Sequence, residues 1–274
     1  MSRSLRRFLK SPLTLGAVAV VLLLVFAAVF APQLATHQPN RQDFRAVLKP
    51  PSRDHYLGTD EIGRDIYSRV IYGARVSVTV GVLSVALGGL VGITVGLLAG
   101  FYGGALDGVL MRLIDVLLAF PGILLAILLA TALGAGLGPV IIAVAAYSVP
   151  TFARVMRGSV LAVRSREFVE AARAAGAGGA RVMVRHVFLN SFAPVLVYAT
   201  LLMGGAILTA AALSFLGVGV APPTPEWGAM ISTARTYMRQ APHVILGPGV
   251  AIFLTILAFN VLGDALRDAF DPKN

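Results

Sequence analysis

Two stretches of this chain hold the residue types that perform chemistry or grip a partner. Between His55 and Asp65 stand His55, Asp60, Glu61 and Asp65, and from Glu167 to Asn190 runs a charged, alanine-rich segment set between long apolar blocks. Oxygen-rich side chains bind hard cations when they are spaced as a coordinating loop. The spacing of the first stretch fits no such template, so no metal ligand is assigned there. Its expected role is structural: Thr59 or Asp60 caps a helix start, and Asp65 to Arg75 lies along a membrane surface with Ile66, Val70 and Ile71 turned toward lipid or protein.

Other chemistries are excluded by what is missing. With no cysteine, the chain has no disulfide, thiolate metal site or thiol nucleophile. Its three lysines, Lys10, Lys49 and Lys273, each follow a residue other than glycine, so it lacks the Gly-x-x-x-x-Gly-Lys-Ser/Thr phosphate cradle and is not an ATPase. An intramembrane enzyme needs a nucleophile with its base, or paired carboxylates, at membrane depth. The four histidines, His37, His55, His186 and His243, fall in expected loops or at span ends. No catalytic or cofactor-binding residue is therefore assigned. Asp115, the acid nearest an apolar span, is expected to pair with Arg112 one helical turn away. Polar groups at depth (Tyr147, Ser148, Tyr198, Thr209, Ser214, Thr255, Asn260) are scattered and form no proton or sodium relay.

The elements that position these residues follow from composition. Hydrophobic residues make up 57% of the 274, charged residues 13%, and mean hydropathy is +0.81, far from the soluble average of about 25% charged. This is an integral membrane protein. The net charge of +10 gathers at the ends of apolar blocks, as anchoring at a lipid surface requires, and nucleic acid is not implied. Charge is absent from Ser11–Asn40, Val76–Leu106, Val116–Ala153, Val187–Pro225 and Gln240–Gly263. Because a span takes about 20 residues, the third window holds two helices, broken at Gly134-Ala-Gly-Leu-Gly-Pro139. Six spans are expected, at 13–31, 77–100, 113–133, 139–155, 193–216 and 245–263. The first has a basic start, as a cleaved signal peptide would. Its long apolar run and Pro32 favour a retained anchor instead.

Arg3, Arg6, Arg7 and Lys10 before the first span place the N-terminus in the cytoplasm, and an even number of spans returns the C-terminus there. The same alternation puts the basic 156–191 loop inside and the base-free 134–138 loop outside. Residues 32–75 fall outside despite seven cations (Arg41, Arg45, Lys49, Arg53, Arg64, Arg69 and Arg75). Within the second span Gly88, Gly92, Gly96 and Gly100 line one helix face with backbone. Another helix packs closely against such a face, within this chain in preference to a dimer. Pro121, Pro150 and Pro194 kink or end their spans.

In the 156–191 loop, Glu167 to Ala175 favours a short helix that Gly176 ends. Phe168, Ala171, Ala172 and Ala175 share one face, and Glu170 and Arg173 stand one turn apart, in reach of a pair. Glu170-Ala171-Ala172, then Gly176, then His186-Val-Phe-Leu-Asn190 resembles the EAA loop of ABC importer permeases. The resemblance covers most of the chain: His55-Tyr-Leu-Gly-Thr-Asp-Glu-Ile-Gly-Arg-Asp65, Tyr72-Gly-Ala-Arg-Val-Ser77, Met111-Arg-Leu-Ile-Asp115 with Phe120-Pro121, Leu213-Ser-Phe-Leu-Gly217, Pro222-Pro-Thr-Pro-Glu-Trp-Gly-Ala-Met230 and Ala258 to Pro272. Together these look like the C-type, or second, permease of the dipeptide, oligopeptide and nickel group. Where the family has proline before the closing asparagine, this chain has Leu189, so a helix is expected to run on into the fifth span.

The resemblance implies an all-α integral membrane protein with six transmembrane helices in the type I ABC importer permease fold. It implies an N-terminal region 1–72, a permease core 73–264 with its coupling loop 156–191, and a cytoplasmic tail 265–274. It also implies that Glu170, Ala171, Ala172, Gly176, His186 and Asn190 couple the chain to an ATPase. The implied partners are a homologous B-type permease, two ATPase subunits holding ATP and Mg, an extracytoplasmic solute-binding protein and the lipid of a bacterial or archaeal inner membrane. The implied role is half of an importer pore for di- or oligopeptides, with nickel complexes, glutathione and oligosaccharides as other cargoes. The alternatives are a stand-alone secondary transporter or channel, and an intramembrane enzyme.

Overall fold

The computed structural model describes residues 11–270. The cations Arg3, Arg6, Arg7 and Lys10, and the last residues from Asp271, lie outside them. The long helices are α1 (Pro12–Val29), α2 (Ile66–Tyr102), α3 (Gly104–Ala119), α4 (Gly122–Leu133), α5 (Leu137–Arg164), α7 (Gly179–Phe215) and α9 (His243–Phe270). Two eight-residue helices, α6 (Glu167–Ala174) and α8 (Trp227–Ala234), lie between them. Among the described residues five helices are long and apolar enough to cross a membrane by themselves, and α3 with α4, a bent pair, makes six when counted as one span.

The expected third span, 113–133, is not one helix. It breaks between Ala119 and Gly122 with a bend of 89°. Pro121 disfavours helical geometry at the residue before it, and Phe120 accordingly sits extended at φ −86°, ψ 135°. The Pro121 carbonyl then accepts from the amides of Leu124 and Leu125 to start α4. Pro150 and Pro194, by contrast, are absorbed within α5 and α7.

Helices α2, α5, α7 and α9 are longer than the spans expected for them. Helix α2 begins at Ile66, so residues 66–75 are its first turns and not a separate surface helix, and Ile66 is buried. Its 37 residues span about 55 Å at 1.5 Å per residue, well beyond the roughly 30 Å of hydrocarbon. Charged residues end the charge-free window without ending the helix, because the ends project past the lipid.

The glycine stripe fixes how α2 and α5 pack. A Cβ on Gly92 would lie 2.5 Å from the Val149 carbonyl oxygen, one on Gly96 2.9 Å from Met156 Cβ, and one on Gly100 2.8 Å from Val160. At Gly88 it would meet the Ala145 carbonyl at 2.6 Å. Contacts advance together along both chains, so α2 and α5 run parallel, backbone against backbone. Ser84 Oγ donates to the Ile141 carbonyl at 3.2 Å on the same seam.

Contacts between helix ends define two faces. On one, Arg75 donates to the carbonyls of Ala28 and Val29 at the end of α1, Gly247 of α9 lies against Ile66 and Leu57, and the Gly136 amide donates to the Gly219 carbonyl. Residues 30–65, 134–136 and 216–242 therefore share that face. The start of α1, the turn at Gly103, α6, the start of α7 and the end of α9 share the other.

Two apolar clusters hold the bundle. One joins Val80, Val144, Phe152, Met156, Val160 and Leu213; the other joins Leu24, Ala28, Ile66, Ile207, Trp227 and Phe259. In the second, Trp227 is buried, and its Nε1 donates to the Val70 carbonyl at 3.0 Å. Glu226 caps α8, accepting from the amides of Gly228 and Ala229 at 3.0 and 2.7 Å. Burial pushes its carboxyl above the ordinary glutamate range, against the downward pull of those amides and the Ser214 hydroxyl. Replacing Glu226 by alanine removes the cap and is expected to cost about 1 to 2 kcal/mol, read as a lower Tm in detergent. Glu226→Gln keeps an acceptor and should lose less; equal melting of wild type and the alanine variant would contradict the capping role.

Candidate functional site

Helix α6 stands out from the face that also carries the end of α9, and it is fixed there from beneath. Its first turn holds Glu167 and Glu170 and its last holds Arg173, the charge order that a helix dipole favours. Gly176 then adopts φ +84°, its amide donating to the Arg173 carbonyl and the Ala177 amide to the Ala172 carbonyl. This left-handed ending is open to glycine at little cost. The loop proper is short, because Arg157 and Arg164 belong to α5 while Arg181 and Arg185 belong to α7.

Glu170, Ala171 and Gly176 are exposed and Ala172 is half-buried. Phe168, an apolar side chain 42% exposed, lies beside them with Ala175. Val169, with no exposure, points the opposite way into the cluster of Val163, Val182 and Val187. Thus α6 offers small and acidic groups outward while one valine locks it to the ends of α5 and α7. Glu170 and Arg173 do not pair; the Arg173 guanidinium lies over the Phe101 ring, 5.9 Å from its centroid, where a cation–π contact outcompetes a solvated pair.

His186 and Asn190 lie on α7, whose residues Val182–Phe188 are wound as π-helix. Asn190 Nδ2 donates to the His186 carbonyl at 2.7 Å. With Leu189 in place of proline the helix runs unbroken from Gly179 to Phe215, and the wide turn takes up the local change of pitch.

Ion pairs tie this end of α5 to α3. Arg157 grips Asp107 with two hydrogen bonds of 2.6 Å, and Arg164 donates to the Gly100 carbonyl at 2.7 Å. Asp115 pairs with Arg154 at 2.7 Å and not with Arg112. The interhelical partner wins because the bend after α3 sets it beside α5. A cavity of about 330 Å³ opens at that bend, lined by Leu117, Phe120, Pro121, Tyr147 and Pro150.

On the opposite face the polar stretch is an internal lattice. Asp60 caps no helix: it accepts from the Arg64 backbone amide at 2.8 Å and from Arg64 Nε at 2.6 Å. Thr59 Oγ1 bonds the Ala46 carbonyl and accepts from the Lys49 amide. The cap of α2 is Asp65, whose Oδ2 accepts from the Ser68 amide at 2.8 Å. Arg64 is held by Asp60 and Glu61, Arg69 donates to Pro39 and Asn40, and Arg75 to α1. Three of the seven cations of 32–75 are thereby bound within the chain, which explains how so basic a segment sits opposite the basic loop.

The family profile described as "Binding-protein-dependent transport system inner membrane component" matches residues 92–274, two thirds of the chain. The chain belongs to this family of importer permeases. The profile for the N-terminal TM domain of oligopeptide transport permease C matches residues 1–51, so this is a C-type permease whose first span is part of the fold. The permease is 48% identical over 269 residues to the glutathione transport system permease protein GsiD of Escherichia coli O6:K15:H31, covering 98% of this chain and 89% of the relative. The GsiD protein of Shigella boydii matches over the same shares. Its fold is that of the membrane subunit in inward-facing MetNI, a methionine ABC transporter, with a TM-score of 0.61 over 73% of the permease and 96% of that chain at 18% identity. The permease is therefore an inner-membrane, multi-pass subunit of a type I ABC importer, and not an enzyme.

Sequence reasoning located α6 but missed its anchor. Val169 carries no signal of its own among alanines, and Asp107 and Arg157 are too far apart in sequence to suggest a pair.

Proposed function

We propose that the permease forms half of a pore for short peptides, including glutathione-like ones, with a homologous B-type permease as the other half. Two ATPase subunits carrying ATP and Mg grip α6 from the cytoplasm, and a solute-binding protein delivers cargo to the face built by residues 30–65 and 216–242. The start of α1 and the end of α9 lie on the α6 side, which supports a cytoplasmic placing of both termini. The observation that carries this reading is the two-sided construction of α6: Glu170, Ala171 and Gly176 outward, Val169 buried against α5 and α7. A pull on the outer side passes to helices α5 and α7 as a rigid-body movement, which is how an alternating-access bundle is driven. Glutathione as cargo is supported by the 48% identity to GsiD.

The test is to purify the tagged permease from its native membrane in mild detergent, identify what accompanies it by mass spectrometry, and reconstitute the complex in vesicles. Expected are an ATPase with a phosphate-loop sequence, a second six-span permease, and uptake of labelled glutathione that stops without ATP and is competed by di- and tripeptides. A permease that purifies alone and moves solute without ATP would replace this reading with a secondary transporter or channel.

A further inference from the structure

We propose that His37, His55 and Asp65 form a binding site for a zinc-class divalent transition-metal ion on the face opposite α6. Three separate segments supply the ligands: the chain after α1, the loop before Gly58 and the cap of α2. His55 Nδ1 lies 2.9 Å and His37 Nδ1 3.8 Å from the same oxygen, Asp65 Oδ1, and the ligand atoms of all three residues fall within 4.8 Å of one another. A tetrahedral ion with bonds of 2.0–2.1 Å requires ligand atoms about 3.3 Å apart. The two distances to Asp65 Oδ1 bracket that value, and side-chain rotation of the imidazoles completes the set.

The ligands are held in place by other groups. Asp65 is buried, and its second oxygen, Oδ2, is occupied by the Ser68 amide and approached by Thr36 Oγ1 at 3.4 Å, which leaves Oδ1 as the oxygen presented to the rings. The His37 backbone amide donates to Ser68 Oγ at 3.0 Å and the His55 amide to Ser52 Oγ at 3.1 Å. The two rings lie 4.7 Å apart at 30°. His37 Nδ1 also lies 3.0 Å from Thr36 Oγ1, a contact that a bound ion would replace; with the proton of each imidazole on Nε2, both Nδ1 atoms face Asp65 Oδ1 as ligands. Such support of the first ligands by outer hydrogen bonds is what tunes metal sites.

A cavity of about 170 Å³ opens beside the three residues, bounded also by Arg41, Asp43 and Gly63. It has room for water in the remaining coordination position, and Asp43 offsets the charge of Arg41. Two nitrogens and one carboxylate oxygen suit zinc and its neighbours in the first transition row, whereas calcium and magnesium favour sets built of oxygen. Asp60 and Glu61 are not part of the site, since Arg64 engages both. An ion here would clip the segment after α1 onto the start of α2, bracing the face on which cargo arrives. The site rests on geometry alone and stands apart from the transport reading.

The experiment uses the intact chain carrying no polyhistidine tag, purified in detergent, stripped with EDTA, loaded with Zn²⁺, gel-filtered and measured for metal. Expected are about one zinc per chain in the wild type, binding weakened about tenfold or more in His37→Ala and in His55→Ala, and a Zn²⁺-dependent rise in Tm that His37→Ala abolishes. His37 is partly exposed and caps nothing, so its variant stays folded and decides the matter even if His55→Ala does not fold. Zinc retained equally by wild type and His37→Ala, or by neither, would overturn the proposal.

Discussion

Glu170→Lys and Gly176→Val are each expected to reduce ATP-driven uptake to the background of an empty vector while leaving the amount of permease in the membrane near that of the wild type. Glu170 is exposed on α6, so reversing its charge disturbs no internal contact. Its effect falls on the proposed grip of the ATPase, where a like charge at a docked surface costs several kcal/mol. Gly176 has open space around it, but its backbone is at φ +84°, a conformation a β-branched residue adopts only with strain. Valine there re-aims the end of α6 without touching the bundle. Uptake and ATPase stimulation by loaded binding protein are measured side by side. Normal uptake in both variants would end the coupling role assigned to α6, whereas normal uptake in one alone would confine that role to the other residue's contribution.

Gly92→Val and Gly96→Val are expected to prevent a stable bundle from forming. At Gly92 even a Cβ would lie 2.5 Å from the Val149 carbonyl oxygen and 2.6 Å from Phe152 Cβ. The first of these is backbone and cannot rotate away. Either α2 separates from α5, losing contacts along the whole seam, or the helix distorts. Overpacking of a tight core typically costs about 1–3 kcal/mol and occasionally more, and this seam lies at the upper end because it is built of main chain. The check is the yield of monodisperse protein in detergent and its Tm, with Gly16→Ala as control, since Gly16 has nothing within 4 Å. A Gly92→Val protein that melts with the wild type would show that α2 and α5 do not meet through this stripe.

The two sets of variants fail for different reasons. The glycine seam should lower abundance, and α6 should lower transport at constant abundance. That separation reflects the structure: the stripe lies deep between helices, while Glu170 on α6 and Gly176 at its end are exposed.

Much of this was legible in the sequence because the membrane enforces it. An ionisable side chain in hydrocarbon costs about 2.5–3.5 kcal/mol at the helix centre by insertion scales, so absence of charge marked the spans apart from the bent crossing, whose first helix carries Asp107, Arg112 and Asp115, and the glycines of α2 and the ending at Gly176 follow from local sterics. The motifs of an importer permease were equally visible, since they lie in order along the chain. What the sequence could not state was pairing at a distance. Asp115 had Arg112 one turn away, yet the 89° bend at Pro121 gave it to Arg154. The acids at 60–65 looked like one group, yet Asp60 and Glu61 went to Arg64 while Asp65 met His55 and His37. Charge and apolar run are properties of a stretch of chain and act wherever it goes, so sequence alone determined where the apolar segments lie and the family, whereas Pro121 broke its span and Pro150 and Pro194 did not. Which charge meets which depends on helices packed side by side, through glycine faces and proline bends, and that only the tertiary structure decided.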